Sequence, residues 1–362
     1  MRWADERARF PVLESHAYLN AGSFGPLARE TFDAVHEVRL RELERGRAGP
    51  GYMEELGERR TRVRELLAAQ IHAPAERVAV TDSTTQAVQV AVGALGLGPG
   101  DEVVTTDSEH FGLIGPLIGT GVRLRIARTR DLPVADVLTA VEALVGPDTR
   151  LVALSAISWL NGAVLPWHEL REATGVPVLV DGAQAVGAVD VDATAADFFT
   201  ISAQKWLCGP DATGGLYVRD PEARRPRLIG TAGATSYDLA AGTWVPKEGA
   251  ARFQPGLTPM SSLAGLEAAL AHLPDGRFER ARTLAGRCRE LLIDAGRDVI
   301  TEPGQATLVT FRPPGDAAET AQALYDRGVI VRDLPATGML RASVGWWNDE
   351  SDLERLVEGL TT

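Results

Sequence analysis

Three residues that could act on a small molecule follow two apolar runs in the middle of the chain. The β-branched run 178–180 ends at Asp181, and the run 198–201 ends at Ser202, three residues before Lys205. Both runs predict buried strands of a parallel sheet, and ligands of open α/β sheets bind where the carboxyl ends of such strands meet. The sequence therefore predicts a carboxylate, a hydroxyl and an amine around one site.

An acid and a lysine at one edge of a sheet are the groups that pyridoxal phosphate (PLP) requires of its protein. A carboxylate such as Asp181 keeps the pyridine nitrogen protonated, so that the ring withdraws electrons from the Cα of an amino acid. An amine such as Lys205 forms a Schiff base and acts as a base once released. We therefore predict PLP as the cofactor, with Asp181 and Lys205 as catalytic residues.

The segment 178–210 resembles the class V aminotransferase family of fold-type I PLP-dependent enzymes. This family includes cysteine desulfurases, cysteine/cystine C–S lyases, isopenicillin N epimerase and kynureninase, and the resemblance extends from Tyr18 to the C-terminal helix. It implies an α/β fold, in which a large domain has a mainly parallel central sheet flanked by helices and a small C-terminal domain is α+β. The implied division is an N-terminal arm (1–15), a large PLP-binding domain (16–260) and a small domain (261–362). The resemblance also implies a homodimer with active sites near the subunit interface.

Hydroxyl side chains at a predicted helix start indicate where the cofactor phosphate binds. Thr84 and Thr85 precede the helical pattern 86–95, and the free N–H groups of a first turn attract anions. The family resemblance assigns the phosphate to these two threonines and to Ser202, and it places Gln204 where many relatives have a phosphate-contacting histidine. It also places Gln184 near the 3′-oxygen of the cofactor.

His110 follows the predicted strand 102–106 and comes directly after Glu109. The family has its ring-stacking histidine in this position, and an imidazole over the pyridine face can also carry a proton near the reacting carbon. We therefore predict that His110 is a catalytic and cofactor-binding residue. Desulfurases often have a second histidine next, where this chain has Phe111.

Substrate contacts are predicted from three segments. Arg341, in the run L-R-A-S-V, matches the family arginine that binds the substrate α-carboxylate, a bidentate task that suits a guanidinium. The arm Y-L-N-A-G-S-F-G resembles the entry segment of epimerase-like members, and desulfurases have a cofactor-contacting asparagine where this chain has a tryptophan. The additional predicted substrate-binding residues are Asn20, Ser23, Trp159 and Asn161.

The family resemblance favours C–S β-elimination on cysteine, cystine or a larger S-conjugate, which yields aminoacrylate and then pyruvate. Epimerisation and aminotransfer stay open, because the same Cα deprotonation begins all three reactions. A persulfide-forming desulfurase is disfavoured: the loop 332–339 has no cysteine, Cys208 lies in a turn after Lys205, and Cys288 lies in a helical pattern. A non-catalytic PLP-fold protein and an α/β enzyme without PLP are the alternatives from other classes.

The composition argues against several classes of partner and location. The net charge of −12 over 362 residues argues against nucleic acid or an anionic membrane surface as a partner. Two cysteines in so long a chain predict a reducing, cytoplasmic location, and the charged start M-R-W-A-D-E-R is unlike a signal peptide. No apolar run approaches the ~20 residues of a membrane helix, and no metal site is predicted.

The rest of the sequence predicts the helices and strands that position these residues. Helical periodicity predicts helices over 31–45, 53–71, 134–144, 261–273 and 278–296, and apolar runs predict strands at 77–81, 122–127, 151–157 and 214–218. Residues 219–251 are expected to be irregular. The small domain is predicted as strand 307–311, helix 317–327, strands 329–332 and 340–345, and helix 349–360.

Overall fold

The computed structural model describes residues 3–361, so Met1, Arg2 and Thr362, which end the predicted arm and small domain, lie outside the described residues. The helices are α1 (Trp3–Arg7), α2 (Arg29–Arg45), α3 (Pro50–Ala69), α4 (Thr84–Leu95), α5 (Phe111–Gly119), α6 (Val134–Glu142), α7 (Trp167–Thr174), α8 (Met260–Ala271), α9 (Arg277–Asp294), α10 (Ala317–Asp326) and α11 (Glu350–Thr361). The strands are β1 (Ala17–Tyr18), β2 (Val78–Thr81), β3 (Glu102–Thr106), β4 (Arg123–Ala127), β5 (Thr149–Ser155), β6 (Val178–Asp181), β7 (Phe198–Ser202), β8 (Gly214–Val218), β9 (Ala234–Asp238), β10 (Thr243–Pro246), β11 (Leu308–Phe311), β12 (Val329–Ile330), β13 (Arg332–Leu334) and β14 (Met339–Ser343).

A seven-stranded sheet in the order β2-β8-β7-β6-β5-β3-β4 forms the centre of the large domain. Its strands pair in parallel except β8, which runs antiparallel to both of its neighbours. Only residues 203–213 connect β7 to β8, and so short a segment cannot contain the helical crossover that parallel strands need. The predicted fold class and the adjacency of the strands before Asp181 and Lys205 are confirmed.

Apart from the edge strand β4, which is largely exposed, this sheet is buried on both faces under apolar side chains, and its inner strands are therefore rich in apolar residues. Along β5, Val152 and Leu154 join the core on one face, while Leu151 and Ala153 join the core on the other. This alternation is the period of two expected of a strand. A third apolar core lies within the small domain.

The small domain has a three-stranded antiparallel sheet in the order β11-β14-β13. The predicted single strand 329–332 was wrong, because the structure divides it in two. β12 pairs in parallel with β1, so that Ala17 lies opposite Val329, whereas β13 pairs with β14. The start of the predicted large domain is therefore bonded to the small one, and the exact domain limits stay a prediction.

The segment 219–251, predicted to be irregular, contains the antiparallel hairpin of β9 and β10. Its turn includes Gly242, whose positive φ of 63° suits glycine. The hairpin extends into solvent, with Tyr237 and Leu239 exposed. Because neither strand is packed on both faces, its sequence lacks the apolar run that identified the other strands. No helix among residues 3–361 has the length and apolar content that crossing a membrane requires.

Candidate active site

A cavity of about 390 Å³ opens at the carboxyl ends of the central strands. The phosphate, ring and carboxylate positions predicted from sequence all meet there. Of the predicted site residues, the following line the cavity: Ser23, Thr84, Thr85, His110, Trp159, Asp181, Gln184, Ser202, Gln204, Lys205 and Arg341.

Asn20 and Asn161 are outside the cavity lining. Asn20 forms a bridge to Ser343 beside the small-domain sheet, and its Oδ1 is buried without a hydrogen bond. Asn161 accepts the Ala163 N–H at 3.1 Å through Oδ1, which closes its own turn. Asn161 is therefore held by its own turn, and neither asparagine belongs to the cavity lining.

Asp181 and Lys205 lie on neighbouring strand ends, as the register of β6 and β7 requires. Asp181 accepts hydrogen bonds through Oδ1 from the Ala183 N–H at 2.9 Å and the Thr200 hydroxyl at 3.3 Å, and Oδ2 has no partner among the described residues. Burial lowers the pKa of Lys205 to about 8; the Asp181 charge opposes that shift and the Arg341 charge adds to it. A large fraction of neutral amine near pH 7 to 8 suits a nucleophile and base.

The first turn of α4 provides hydrogen-bond donors at one end of the cavity. Ser83 caps the helix by accepting the Gln86 N–H at 3.2 Å. The N–H groups and hydroxyls of Thr84 and Thr85 make no hydrogen bond with any described residue. Across the cavity, the Ser202 hydroxyl donates to Gln204 Oε1 at 3.2 Å. This set of free N–H and O–H groups at a helix start fits a phosphate.

His110 both lines the cavity and caps α5. Its Nδ1 accepts the Gly112 N–H at 3.0 Å, so in the neutral ring the proton is on Nε2. Burial lowers the pKa of His110, and the charges of Lys205 and Arg341 lower it further against the opposing effect of Asp181. The ring packs edge-on against Trp159 with centroids 5.3 Å apart. An imidazole with a fixed tautomer in its neutral form therefore borders the cavity.

Glu109 was not predicted as a site residue, but it organises the wall behind the cavity. Its Oε2 accepts the Ser155 N–H at 2.9 Å and the Ser155 hydroxyl at 2.5 Å, and its Oε1 accepts the Thr106 hydroxyl at 2.7 Å. Burial and then the Asp181 charge raise the pKa of Glu109 to about 7, against the lowering effect of these hydrogen bonds. The only sequence signal was an acid between a strand end and a candidate histidine.

Two guanidinium groups border the opposite end of the cavity. Arg341 on β14 is 2% exposed, and its Nη1 donates to the Trp159 carbonyl at 2.8 Å, while Nε is buried without an acceptor. Burial lowers the pKa of Arg341 to about 10, and the charge of Arg332 lowers it further. Arg332 lies directly across the strand pair and also lines the cavity. The sequence analysis did not predict Arg332 as a site residue and placed it where the strand 329–332 ends and the loop 332–339 begins.

The N-terminal arm forms part of the cavity wall through Gly22, Ser23 and Phe24. The Leu19 N–H donates to the Ile330 carbonyl at 2.9 Å, and the Gly25 N–H donates to the Gln204 carbonyl at 2.8 Å. Between these two points, the Gly22 carbonyl accepts the Gln184 side-chain amide at 2.9 Å. The Oε1 atom of Gln184 accepts a hydrogen bond from the Trp206 indole N–H at 3.0 Å.

Neither cysteine belongs to this site. Cys208 and Cys288 are both buried, and neither lines the cavity. Burial raises the pKa of the Cys208 thiol well above its usual range and that of Cys288 to about 12. Both therefore stay protonated at neutral pH, and a protonated thiol is a poor nucleophile.

Comparison with known proteins matches this chain to one family. The model of the aminotransferase class-V family matches residues 30–356. Isopenicillin N epimerase of Amycolatopsis lactamdurans is 32% identical, over 99% of this chain and 98% of that protein. Cysteine desulfurase of Haloferax volcanii is 29% identical, over 79% of this chain and 74% of that protein.

Solved structures of a cystine C–S lyase share the whole architecture. A mutant of that lyase with glycine covalently linked to its PLP cofactor has a TM-score of 0.91 and 26% identity, covering 98% of both chains. Its complex with the reaction product cysteine persulfide has a TM-score of 0.90 and 26% identity, covering 97% of this chain and 98% of that one.

The chain belongs to the class V aminotransferase family, whose cofactor is PLP. The residues present fit that group on structural grounds alone. The side-chain amine of Lys205 makes no hydrogen bond or ion pair with the described residues, and Asp181, whose Oδ2 has no partner among them, lines the cavity. The unpaired donors of Thr84 and Thr85 suit the phosphate.

Proposed function

We propose that this chain is a PLP-dependent C–S lyase that removes a sulfur leaving group from the Cβ of an amino acid. When bound, PLP supplies an electron sink for negative charge at Cα. The cavity then assigns two roles to the chain's own residues. Arg341, which lines the cavity and whose Nη2 makes no hydrogen bond with the described residues, binds the α-carboxylate, and the Lys205 amine takes the Cα proton.

Departure of the sulfur as a thiolate or persulfide then breaks the Cβ–S bond with the electron pair on sulfur. The amino acid is left as aminoacrylate, which water hydrolyses to pyruvate and ammonia. No enzyme thiolate is needed, which agrees with the burial of Cys208 and Cys288.

The observation that carries the proposal is the pair of cations at the carboxylate end. Arg332 and Arg341 lie directly opposite each other on β13 and β14, an arrangement of like charges that destabilises a sheet unless anions offset it. A substrate with two carboxylates, such as L-cystine, provides one anion for each guanidinium. The similarity to a cystine C–S lyase supports the same substrate class.

The test begins with the purified protein and L-cystine. We expect an absorbance band near the blue edge of the visible from the bound cofactor, release of pyruvate on addition of L-cystine, and loss of the band in Lys205→Ala. Arg332→Met should raise the KM for L-cystine by about tenfold and leave the KM for L-cysteine, which has one carboxylate, within about twofold. A yellow protein that releases no pyruvate from L-cystine or other S-linked amino acids would overturn the lyase proposal.

Epimerisation is the second candidate, because a relative that is 32% identical over nearly its whole length is an isopenicillin N epimerase. An epimerase in heavy water would incorporate deuterium at Cα and invert the substrate without releasing pyruvate. Aminotransfer would instead convert an added keto acid into an amino acid.

We also propose that the chain forms a homodimer with the active site near the interface. Phe24 lines the cavity and is 55% exposed, and Phe111, next to His110, is 75% exposed. Large exposed apolar side chains at a cavity rim are typical of an interaction surface. Sedimentation should give about twice the 38.7 kDa mass of one chain, and a monomer at micromolar concentration would contradict this.

A further inference from the structure

Glu109 lies next to the active site without lining its cavity. Its carboxyl group accepts the Thr106 hydroxyl at 2.7 Å through Oε1, and the Ser155 N–H at 2.9 Å and Ser155 hydroxyl at 2.5 Å through Oε2. Thr106 and Ser155 are both buried, with exposed fractions of 3% and 5%. No cation among residues 3–361 pairs with Glu109, so these three hydrogen bonds are the polar contacts of its side chain.

The bonds to Ser155 join two strand ends beyond the point where the sheet pairs them. The last paired residues of β3 and β5 are Val104 and Val152. Ser155 is three residues further along β5, and its N–H donates to a side chain, the Glu109 carboxyl. This carboxyl group therefore extends the connection between the β3 end and β5 as far as the edge of the cavity, which Ser155 lines.

Ser155 is in turn fixed to the strand that carries Asp181. The two residues lie opposite each other in the parallel pair of β5 and β6, and the Ala156 N–H donates to the Asp181 carbonyl at 2.9 Å. Both Ser155 and Asp181 line the cavity. Because opposite residues of paired strands present their side chains on the same face of a sheet, Glu109 is bonded to the face that carries the Asp181 carboxylate.

His110 follows Glu109 in the chain and is the N-cap of α5. Its Nδ1 accepts the Gly112 N–H, and its ring packs edge-on against Trp159. These contacts orient the imidazole, while the adjacent Glu109 carboxyl provides the hydrogen bonds from this segment to the end of β5. The position of the imidazole relative to the strand ends of the cavity therefore depends on Glu109.

We propose that Glu109 is a positioning residue that holds the His110 imidazole at the place of the cofactor ring by bonding the end of β3 to Ser155. The proposal rests on PLP as the cofactor and on His110 contacting its ring, and it does not depend on which reaction follows. Contacts between flat rings contribute up to about tenfold in affinity. A displaced imidazole should therefore be measurable as faster release of the cofactor.

A double-mutant cycle on cofactor release tests this role without any assay of activity. The PLP-loaded protein is transferred to buffer without PLP, and the decay of the cofactor absorbance band gives the rate of release. His110→Ala should raise this rate by about tenfold, and Glu109→Ala by about three- to tenfold. The double variant should release PLP within about twofold of His110→Ala alone, because Glu109 acts through the imidazole.

A conservative variant separates the hydrogen bonds of Glu109 from its charge. Burial and then the Asp181 charge raise the pKa of Glu109 to about 7, so at pH 6 most of the carboxyl is neutral. A neutral amide of the same shape keeps an acceptor for Ser155, and Glu109→Gln should release PLP within about twofold of the unmodified protein at this pH. Glu109→Asp, which withdraws the carboxyl from Ser155 by one methylene, takes the place of Glu109→Ala in the cycle if the alanine variant does not fold.

Asp107→Ala is the matched control for a general loss of stability. Asp107 accepts the N–H groups of Thr129 and Arg130 at 2.9 and 3.0 Å, away from the cavity, so its loss should lower the melting temperature and leave the release rate within about twofold. An additive cycle, in which the Glu109 substitution accelerates release equally with and without His110, would overturn the proposal. Unchanged release in either single variant of the cycle would do the same.

Discussion

Substituting Gly22 by alanine should separate substrate binding from folding, because the added methyl group would contact Arg341, which we propose binds the substrate carboxylate. A Cβ at this position would lie 2.6 Å from Arg341 Nη2 and 2.8 Å from Ser343 Oγ. Gly22 does not have a positive φ, so alanine fits its backbone conformation. The steric conflict therefore falls on the Arg341 guanidinium and the Ser343 hydroxyl, and of these two side chains only Arg341 lines the cavity.

The expected size of the effect follows from the distances. An ordinary contact begins near 3.4 Å, so the guanidinium must move by about 0.8 Å. A displacement of about 1 Å at a substrate-positioning group costs up to about a hundredfold in rate. Overpacking costs about 1–3 kcal/mol in stability, which for a chain of 362 residues lowers the melting temperature by only about 1–4 °C.

The assay compares kcat/KM for pyruvate release from L-cystine with the Kd of L-alanine, which has an α-carboxylate and no leaving group. We expect both to worsen by about 10- to 100-fold in Gly22→Ala. Gly57→Ala is the matched control, since a Cβ there meets nothing within 4 Å. If Gly22→Ala folds and its Kd and kcat/KM are unchanged, the position or the role assigned to Arg341 is refuted.

Three further substitutions test individual groups. Arg341→Lys should raise the Kd of L-alanine by about thirtyfold, because an ammonium cannot bind a carboxylate through two parallel bonds; an affinity within twofold would argue against a bidentate contact. Burial raises the pKa of Glu109 from 4.5 to about 7, so its contribution to stability is complete below pH 4.5 and is lost as pH rises through 7. In Glu109→Gln, the urea midpoint of unfolding should no longer fall as the pH rises from 4.5 to 7 for this reason. The same pH profile of the midpoint in the variant and in the unmodified protein would contradict a raised pKa of Glu109. Replacing Cys208 and Cys288 together by alanine should leave pyruvate release within about twofold, because neither thiol lines the cavity; a hundredfold loss would restore the desulfurase mechanism.

The sequence predicted the central sheet well because its strands are short apolar runs that end in polar residues. Asp181 and Lys205 follow such runs, and parallel pairing brings their ends together without further information. The same reasoning placed Thr84 at a helix start. Strand ends and helix starts that depend only on a short local segment can thus be predicted from the sequence.

The features that the sequence did not predict depend on pairing between distant segments. β12 separates from β13 because Val329 finds its partner at Ala17, more than 300 residues earlier. Glu109 becomes part of the site only when β3 and β5 pair and bring Ser155 to its carboxylate. Arg332 enters the cavity because β13 pairs with β14, which no property of the residue itself indicates.

The arm between Leu19 and Gly25 is anchored at one end to the small domain and at the other to the loop that carries Lys205. Six residue steps can span at most about 20 Å, so this segment has little slack. A movement of the small domain away from the Lys205 loop would therefore stretch this segment, which includes Gly22 beside the Arg341 guanidinium. The arm is thus a short tether between β12 and the Lys205 loop, and its length limits how far these two parts of the chain can separate.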